Sequence, residues 1–345
     1  MLESRTCVKL RSVIGGTPTG RHRREVALRD PATGEDAFHA ELVTTRDVAR
    51  AVEVARDAQP VWGRTPAIAR GGVLRQAADV LEDRREELAH RMTSEMGKVL
   101  AEGRAEVDEA AFYLRFMSGE GARLVGETRP SADPRRLSIA ERLPAGVVAA
   151  ITPWNFPLCI PTWKIAAALV VGDSVVLKPA LQTAGTGLAL AEGLCTAGLP
   201  AGALNVLVGT GEEAGQELAR HADVRVLTFT GSTAVGHRLA GLVGGRGARA
   251  ALELGGKNVA VVLADADLEH ARNGSRTAPS RPPDSGAPRP AGSSSTPRST
   301  TNCSGVASRA PTVCASDPES IQPRTSVRSS MPRAAGGWPP RWPRR

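Results

Sequence analysis

The chain lacks the marks of several common protein classes. Its five cysteines, Cys7, Cys159, Cys195, Cys303 and Cys314, show neither C-x-x-C spacing nor paired histidines. That excludes a zinc-finger pattern or a disulfide framework, so no metal site is expected and a reducing cytoplasm is the expected location. No apolar run is long enough to cross a bilayer, and Met1-Leu2-Glu3-Ser4-Arg5 does not open a signal-peptide core. A membrane is therefore not an expected partner.

The C-terminal stretch is poor in different things. It has no Leu after Leu268 and no aromatic residue before Trp338. Pro, Ser, Arg, Thr, Gly and Ala dominate it. Such a segment cannot bury enough apolar surface to offset its chain entropy, so residues 273–345 are expected to be disordered. From Ser275 onward there are eleven Arg, no Lys and three acids, which leaves 33 of the 44 basic and 33 of the 36 acidic residues in residues 1–274. The formal charge of +8 thus belongs to the tail, and the body is neutral. The tail also lacks periodic or aromatic-interleaved basic residues, so no specific nucleic acid is expected as a partner.

What is present is a chain of 345 residues, 41% hydrophobic, long enough for two domains. Asp30-Pro31-Ala32-Thr33-Gly34-Glu35 reads as a turn between short extended pieces. Thr45 is positioned to cap a helix running to about Trp62, with Val48, Ala51, Val52 and Ala55 at helical spacing. Further helices are expected over about Ala67–Met96 and Leu100–Val125, as packing elements without chemistry. Residues 126–143, with Pro130 and Pro134, read as a polar excursion.

Apolar runs at 146–152, 174–177, 203–208 and 226–230 then alternate with helical stretches at 158–171, 183–197 and 211–219. This alternation predicts an α/β fold with a doubly wound parallel sheet. Such sheets bind ligands at the carboxyl ends of their strands. The residues there are Trp154 and Asn155, Lys178, the Gly209–Gly215 loop, and Gly231-Ser232. Asn155 offers an amide to an oxyanion, or alternatively closes an Asx turn. Ser232 and nearby backbone N–H groups suit a pyrophosphate at a helix start, or Ser232 is an N-cap. Downstream, Leu252-Glu253-Leu254-Gly255-Gly256-Lys257-Asn258 sets one carboxylate between apolar neighbours. A carboxylate in apolar surroundings is costly to ionise, which suits a general base.

Taken with Pro153-Trp154-Asn155-Phe156-Pro157, this heptapeptide resembles the aldehyde dehydrogenase superfamily, and the resemblance covers about residues 25–272. It implies NAD(P)-dependent oxidation of an aldehyde to a carboxylic acid, with Asn155 in the oxyanion hole and Glu253 as general base. It also implies cofactor contacts from Trp154, Lys178, Gly211, Gly215, Gly231 and Ser232. A strand pair in residues 126–143 would serve subunit contact, in a family of homo-oligomers. Residues 1–254 would be the cofactor-binding domain with its N-terminal helices, and 255–272 the start of a catalytic domain that is otherwise largely absent. Many NAD-using members carry a glutamate where this chain has Leu181, so both NAD and NADP stay open.

The family's nucleophilic cysteine, in a Gly-Gln-x-Cys element downstream of Glu253, is missing as written. Shifting the reading frame over Pro283-Asp284-Ser285-Gly286-Ala287-Pro288 allows Gly-Gln-Arg-Cys-Thr, so the tail reads as a frame change. The expectation is an oxidoreductase without turnover. The alternative is a non-catalytic dinucleotide-binding fragment that associates with intact homologues.

Overall fold

In the computed structural model, residues 8–19, 24–256, 260–263, 265–267, 269 and 312–314 are described. Five short strands open the chain: β1 (Val8–Leu10), β2 (Val13–Ile14), β3 (Thr17–Pro18), β4 (Glu25–Arg29) and β5 (Asp36–Glu41). A small sheet runs in the order β1-β5-β4. The expected turn joins β4 to β5. Asp30 Oδ1 accepts the Ala32 N–H at 2.8 Å, and Gly34 holds φ +75°, which a glycine enters without steric penalty.

Helix α1 (Thr45–Arg64) is capped one residue earlier than its sequence suggests. Thr44 accepts the Asp47 N–H, and the Asp47 carboxylate accepts the Thr44 N–H at 2.8 Å, a reciprocal capping box. The expected helix over 67–96 is two, α2 (Ala67–Asp83) and α3 (Arg85–Met96), separated at Arg84 with φ −99° and ψ 16°. No residue there is a helix breaker. The break is tertiary, because both halves lie on α4 (Leu100–Ser118). The last expected helix is likewise interrupted at Gly119 before α5 (Glu120–Arg123). A Cβ at Gly121 would stand 2.3 Å from the Ala67 carbonyl oxygen, so α5 meets α2 backbone to backbone. The polar excursion contains an antiparallel pair, β6 (Glu127–Arg129) and β7 (Ser138–Ala140).

The remainder alternates as predicted: β8 (Val147–Ile151), α6 (Cys159–Val171), β9 (Ser174–Lys178), α7 (Ala184–Thr196), β10 (Leu204–Val206), α8 (Gln216–Arg220), β11 (Val224–Gly231), α9 (Thr233–Gly244) and β12 (Arg249–Leu254). One seven-stranded sheet runs β12-β11-β8-β9-β10-β2-β3. Its first five strands are parallel, and β2 and β3 add antiparallel. The chain builds β9 and β10 to one side of β8, then crosses to place β11 and β12 on the other. The order therefore reverses between β8 and β11, where such sheets open a crevice at their carboxyl ends.

Side-chain alternation divides the core into two layers. Val148, Ala150, Val175 and Leu177 pack with α2, α3, α4, α6 and α7. Val147, Ala149, Ile151, Val176, Leu227 and Phe229 pack with α1, α8 and α9. Burial on both faces explains why β8 and β9 read as unbroken apolar runs rather than alternating ones.

The chain divides into two units, the first reaching Gly256. In the second, β13 (Ala260–Val262) pairs antiparallel with β14 (Thr312–Cys314). The rest of the span expected to be disordered, and residues 257–259, 264, 268 and 270–272, lie outside the described residues.

Candidate functional site

Every candidate residue sits at or just beyond the carboxyl end of a parallel strand or at the start of the following helix. Register places them on levels. Ile151 is paired with Phe229 on one side and with Lys178 on the other. One residue further along, Thr230 is paired with Glu253.

The loop after β8 carries Trp154, which is exposed, and Asn155, which is buried. Asn155 Oδ1 has no hydrogen-bond partner among the described residues, so the side chain does not close an Asx turn. Its backbone is fixed instead by residues remote in sequence. Lys98 Nζ donates to the Asn155 carbonyl at 2.9 Å and stands 4.3 Å from the centre of the Phe156 ring. Glu106 accepts Lys98 through Oε2, and through Oε1 it accepts the N–H groups of Leu158 at 2.8 Å and Cys159 at 3.0 Å. Both partners are almost fully buried. A buried charge is tolerated only when paired and hydrogen-bonded, so this pair specifies one shape for the Asn155 loop. Sequence reasoning missed it. The one available signal was a charged pair, Lys98 and Glu106, flanked by helical positions that pack inward.

Lys178 is buried and donates to the Pro179 carbonyl at 2.8 Å; burial pushes its ammonium down to about 8. Its Cδ lies 3.8 Å from where a Gly215 Cβ would stand, beside Ile151. Gly215 therefore lies against the Lys178 stem. Gly211 is exposed at the start of a π-helical turn capped by Thr210, and no atom lies within 4 Å of its Cβ position. Of the candidate glycines it alone has open space at its Cβ position. Leu181 is half-buried against the cluster of Leu10, Phe38 and Val208.

Ser232 precedes α9 with extended angles, φ −68° and ψ 144°, yet its side chain makes no capping hydrogen bond. The hydroxyl is thus not consumed by the helix it begins. Gly231, just before it, packs over the Phe229 ring, whose Cζ would lie 2.5 Å from an added Cβ. Thr233 Oγ1 reaches the Gly255 carbonyl at 3.4 Å and ties the start of α9 to the glycines after β12.

Glu253 does not stand in the apolar surroundings expected from its flanking leucines. Neighbours along a strand point to opposite faces. Leu252 and Leu254 pack on the α9 side, and Leu254 fills the space left by Gly236. Glu253 is exposed on the other face. On that face the helical layer reaches only as far as α6, and from α6 Lys164 extends to Thr228 Oγ1 at 2.8 Å. Thr228 pairs with Ala251 in the same register, so Thr228, Thr230 and Glu253 share a face. Burial pushes the Lys164 ammonium down to about 8, partly offset by the Glu253 carboxylate.

The two groups of candidates thus occupy different faces of one set of strand ends. Lys178, Gly215 and the start of α9 lie on the α8/α9 face. The Asn155 loop, Lys164 and Glu253 lie on the α4/α6 face.

Two free cysteines have described side chains. Cys159 is buried and donates to the Glu106 carbonyl at 3.2 Å; burial holds its thiol well above the ordinary range. Cys195 is near the end of α7, where the chain turns back toward the amino end of β10. Among the described residues there is no group of acidic, histidine and cysteine side chains fit to hold a metal, and no helix is long and apolar enough to cross a membrane.

Comparison with known proteins gives a consistent result. A family model described as the aldehyde dehydrogenase family matches residues 18–278. An α-ketoglutaric semialdehyde dehydrogenase of Bacillus subtilis is 44% identical over 247 residues, covering 71% of this chain and 51% of the relative. A phenylacetaldehyde dehydrogenase of Pseudomonas fluorescens is 45% identical over 276 residues, covering 77% of this chain and 55% of the relative. The crystal structure of an NAD-dependent aldehyde dehydrogenase from Sinorhizobium meliloti superposes with a TM-score of 0.74 at 35% identity, covering 78% of this chain and 55% of that one. The chain spans about half the length of the curated relatives it matches. By its matched span, its strand order and the residues at its strand ends, the chain belongs to the aldehyde dehydrogenase family.

Proposed function

We propose that this chain is the dinucleotide-binding portion of an NAD(P)-dependent aldehyde dehydrogenase and that, as written, it binds cofactor without turning over aldehyde. The carrying observation is the division of the strand ends between two faces. On the α8/α9 face, Lys178, the backbone around Gly215 and the unengaged Ser232 hydroxyl fit a polyanionic ligand with ribose hydroxyls. Trp154, exposed after β8, lines the nicotinamide end, and Gly211 and Gly231 let backbone approach. The bound cofactor supplies a hydride acceptor.

On the α4/α6 face, the Asn155 amide donates to the carbonyl oxygen of an aldehyde, where negative charge develops on attack. Glu253, exposed beside Lys164, takes a proton from water. Between them no thiol is available among the described side chains. Leu181, packed into an apolar cluster, puts no carboxylate against an adenosine ribose, so nothing at that position repels the extra phosphate of NADP and the cofactor is NAD or NADP.

The family match ends at residue 278, and the shifted frame over residues 283–288 reads as the missing nucleophile element. Both support a frame change near residue 274. Sequencing the nucleotides for residues 273–278 tests that reading, and an intact frame there removes it.

Function is tested by titrating NADH and NADPH against tryptophan fluorescence, followed by assays with a panel of aldehydes. Saturable binding without cofactor reduction is expected. Sustained reduction refutes the loss of turnover, and absence of any binding refutes the whole reading. Binding that persists while the chain co-purifies with an intact family member identifies it as an associating fragment.

A further inference from the structure

The chain has only five lysines: Lys9, Lys98, Lys164, Lys178 and Lys257. Lys257 lies outside the described residues. Lys9 is exposed and paired with Glu25 at 2.8 Å. Lys98 is buried in its pair with Glu106, and Lys178 is buried against the Pro179 carbonyl. Lys164 differs from Lys9, Lys98 and Lys178. It is half-buried rather than sealed, and its Nζ is held by a neutral hydroxyl, Thr228 Oγ1, at 2.8 Å rather than by a carboxylate. Register puts that hydroxyl on the same face as Thr230 and Glu253. The Asn155 loop closes onto the same side through Lys98 and Glu106.

The geometry points to Lys164 as a covalent aldehyde-capture site, in which its amine forms a reversible imine with a carbonyl compound bound on the α4/α6 face. This rests on the reading that an aldehyde enters there. Partial burial beside a neutral hydroxyl disfavours the ammonium and leaves more free amine than an exposed lysine has, while the carboxylate on the same face works the other way. Burial is the stronger influence and pushes the ammonium down to about 8 against the pull of the Glu253 carboxylate.

The step balances without oxidant or reductant. The amine lone pair forms a bond to the carbonyl carbon, and the π pair moves to oxygen. A proton passes from nitrogen to that oxygen, giving a carbinolamine. The C–O bond then breaks, oxygen leaves as water with a second proton from nitrogen, and the C=N bond forms. Glu253, on the same face and with its charge acting on Lys164, relays these protons. The sum is amine plus aldehyde giving imine plus water.

The test uses the full chain and benzaldehyde at pH 8, with sodium borohydride added to fix any imine as a secondary amine. Digestion and mass spectrometry then locate the adduct directly in the unaltered protein. The expected result is labelling at Lys164 at least tenfold above Lys9 and Lys257, lost in Lys164→Arg and reduced severalfold in Glu253→Gln. Equal labelling of all accessible lysines overturns the proposal, as does labelling that spares Lys164. NADPH titration of the same samples separates the two levels: intact cofactor binding with an unlabelled Lys164 refutes the capture site alone, whereas absence of binding refutes the proposed function beneath it.

Discussion

Replacing Glu95 with glutamine should make stability depend far less on pH. Glu95, near the end of α3, is 5% exposed. Its Oε2 accepts the Thr186 hydroxyl at 2.5 Å and the Thr186 N–H at 3.1 Å at the start of α7, while Oε1 is buried without a hydrogen-bond partner. Burial raises its carboxyl from 4.5 to about 7, against the opposing pull of Thr186 and Arg91. The native state therefore holds this proton over a range in which the unfolded chain has released it. Below about pH 4.5 both states are protonated and the penalty is absent. As pH rises toward 7 native stability falls, and above 7 the full cost of an ionised, buried carboxylate is present. The gap between 4.5 and about 7, at about 1.4 kcal/mol per pH unit, amounts to about 3 kcal/mol. Glu95→Gln keeps the shape and the acceptor for Thr186 but carries no charge. Urea unfolding of both proteins from pH 5 to 8 should give curves that converge at the acid end and separate to about 3 kcal/mol at pH 8, glutamine being the more stable. Taking the difference cancels the other titrating groups. Parallel curves across that range would refute the argument.

Other perturbations test the site and the fold. Lys98→Met strands the Glu106 charge and should cost about 3–5 kcal/mol in urea unfolding, most of it recovered in Lys98→Met/Glu106→Gln. Recovery absent from the double variant would show that packing, not charge, is at stake. Ser232→Ala removes a hydroxyl that caps nothing, so stability should change by less than about 0.5 kcal/mol while NADPH affinity falls roughly tenfold, the loss of about one charge-assisted hydrogen bond. A large drop in melting temperature with unchanged affinity would make Ser232 a helix residue only. Gly121→Ala places a Cβ 2.3 Å from the Ala67 carbonyl oxygen and should destabilise by about 1–3 kcal/mol in thermal unfolding.

The parallel sheet was readable because its central strands are buried on both faces and leave uninterrupted apolar runs, and the strand ends then pointed to Asn155, Lys178 and Ser232. Two kinds of information were not readable. The first is face. Flanking leucines suggested an enclosed Glu253, but a strand sends them to the opposite side, and only the register with β11 shows what Glu253 stands beside. The second is pairing at a distance. Lys98 and Glu106 act on a loop more than fifty residues away, and no local pattern announces that they hold Asn155 in place. The break at Arg84 is of the same kind, since the propensities there are helical and the bend comes from the need of both halves to lie on α4.

Strand β12 ends the seven-stranded sheet, with β11 on one side and, among the described residues, no strand on the other. Among the described residues no strand pairs with its outer row of peptide groups, along which Arg249, Ala250 and Ala251 are exposed. A row of unsatisfied amides in extended form is a template on which another polypeptide can add. Purified chain stored at high concentration would grow from this margin, and self-association there would be checked by a charge or proline placed at Ala250.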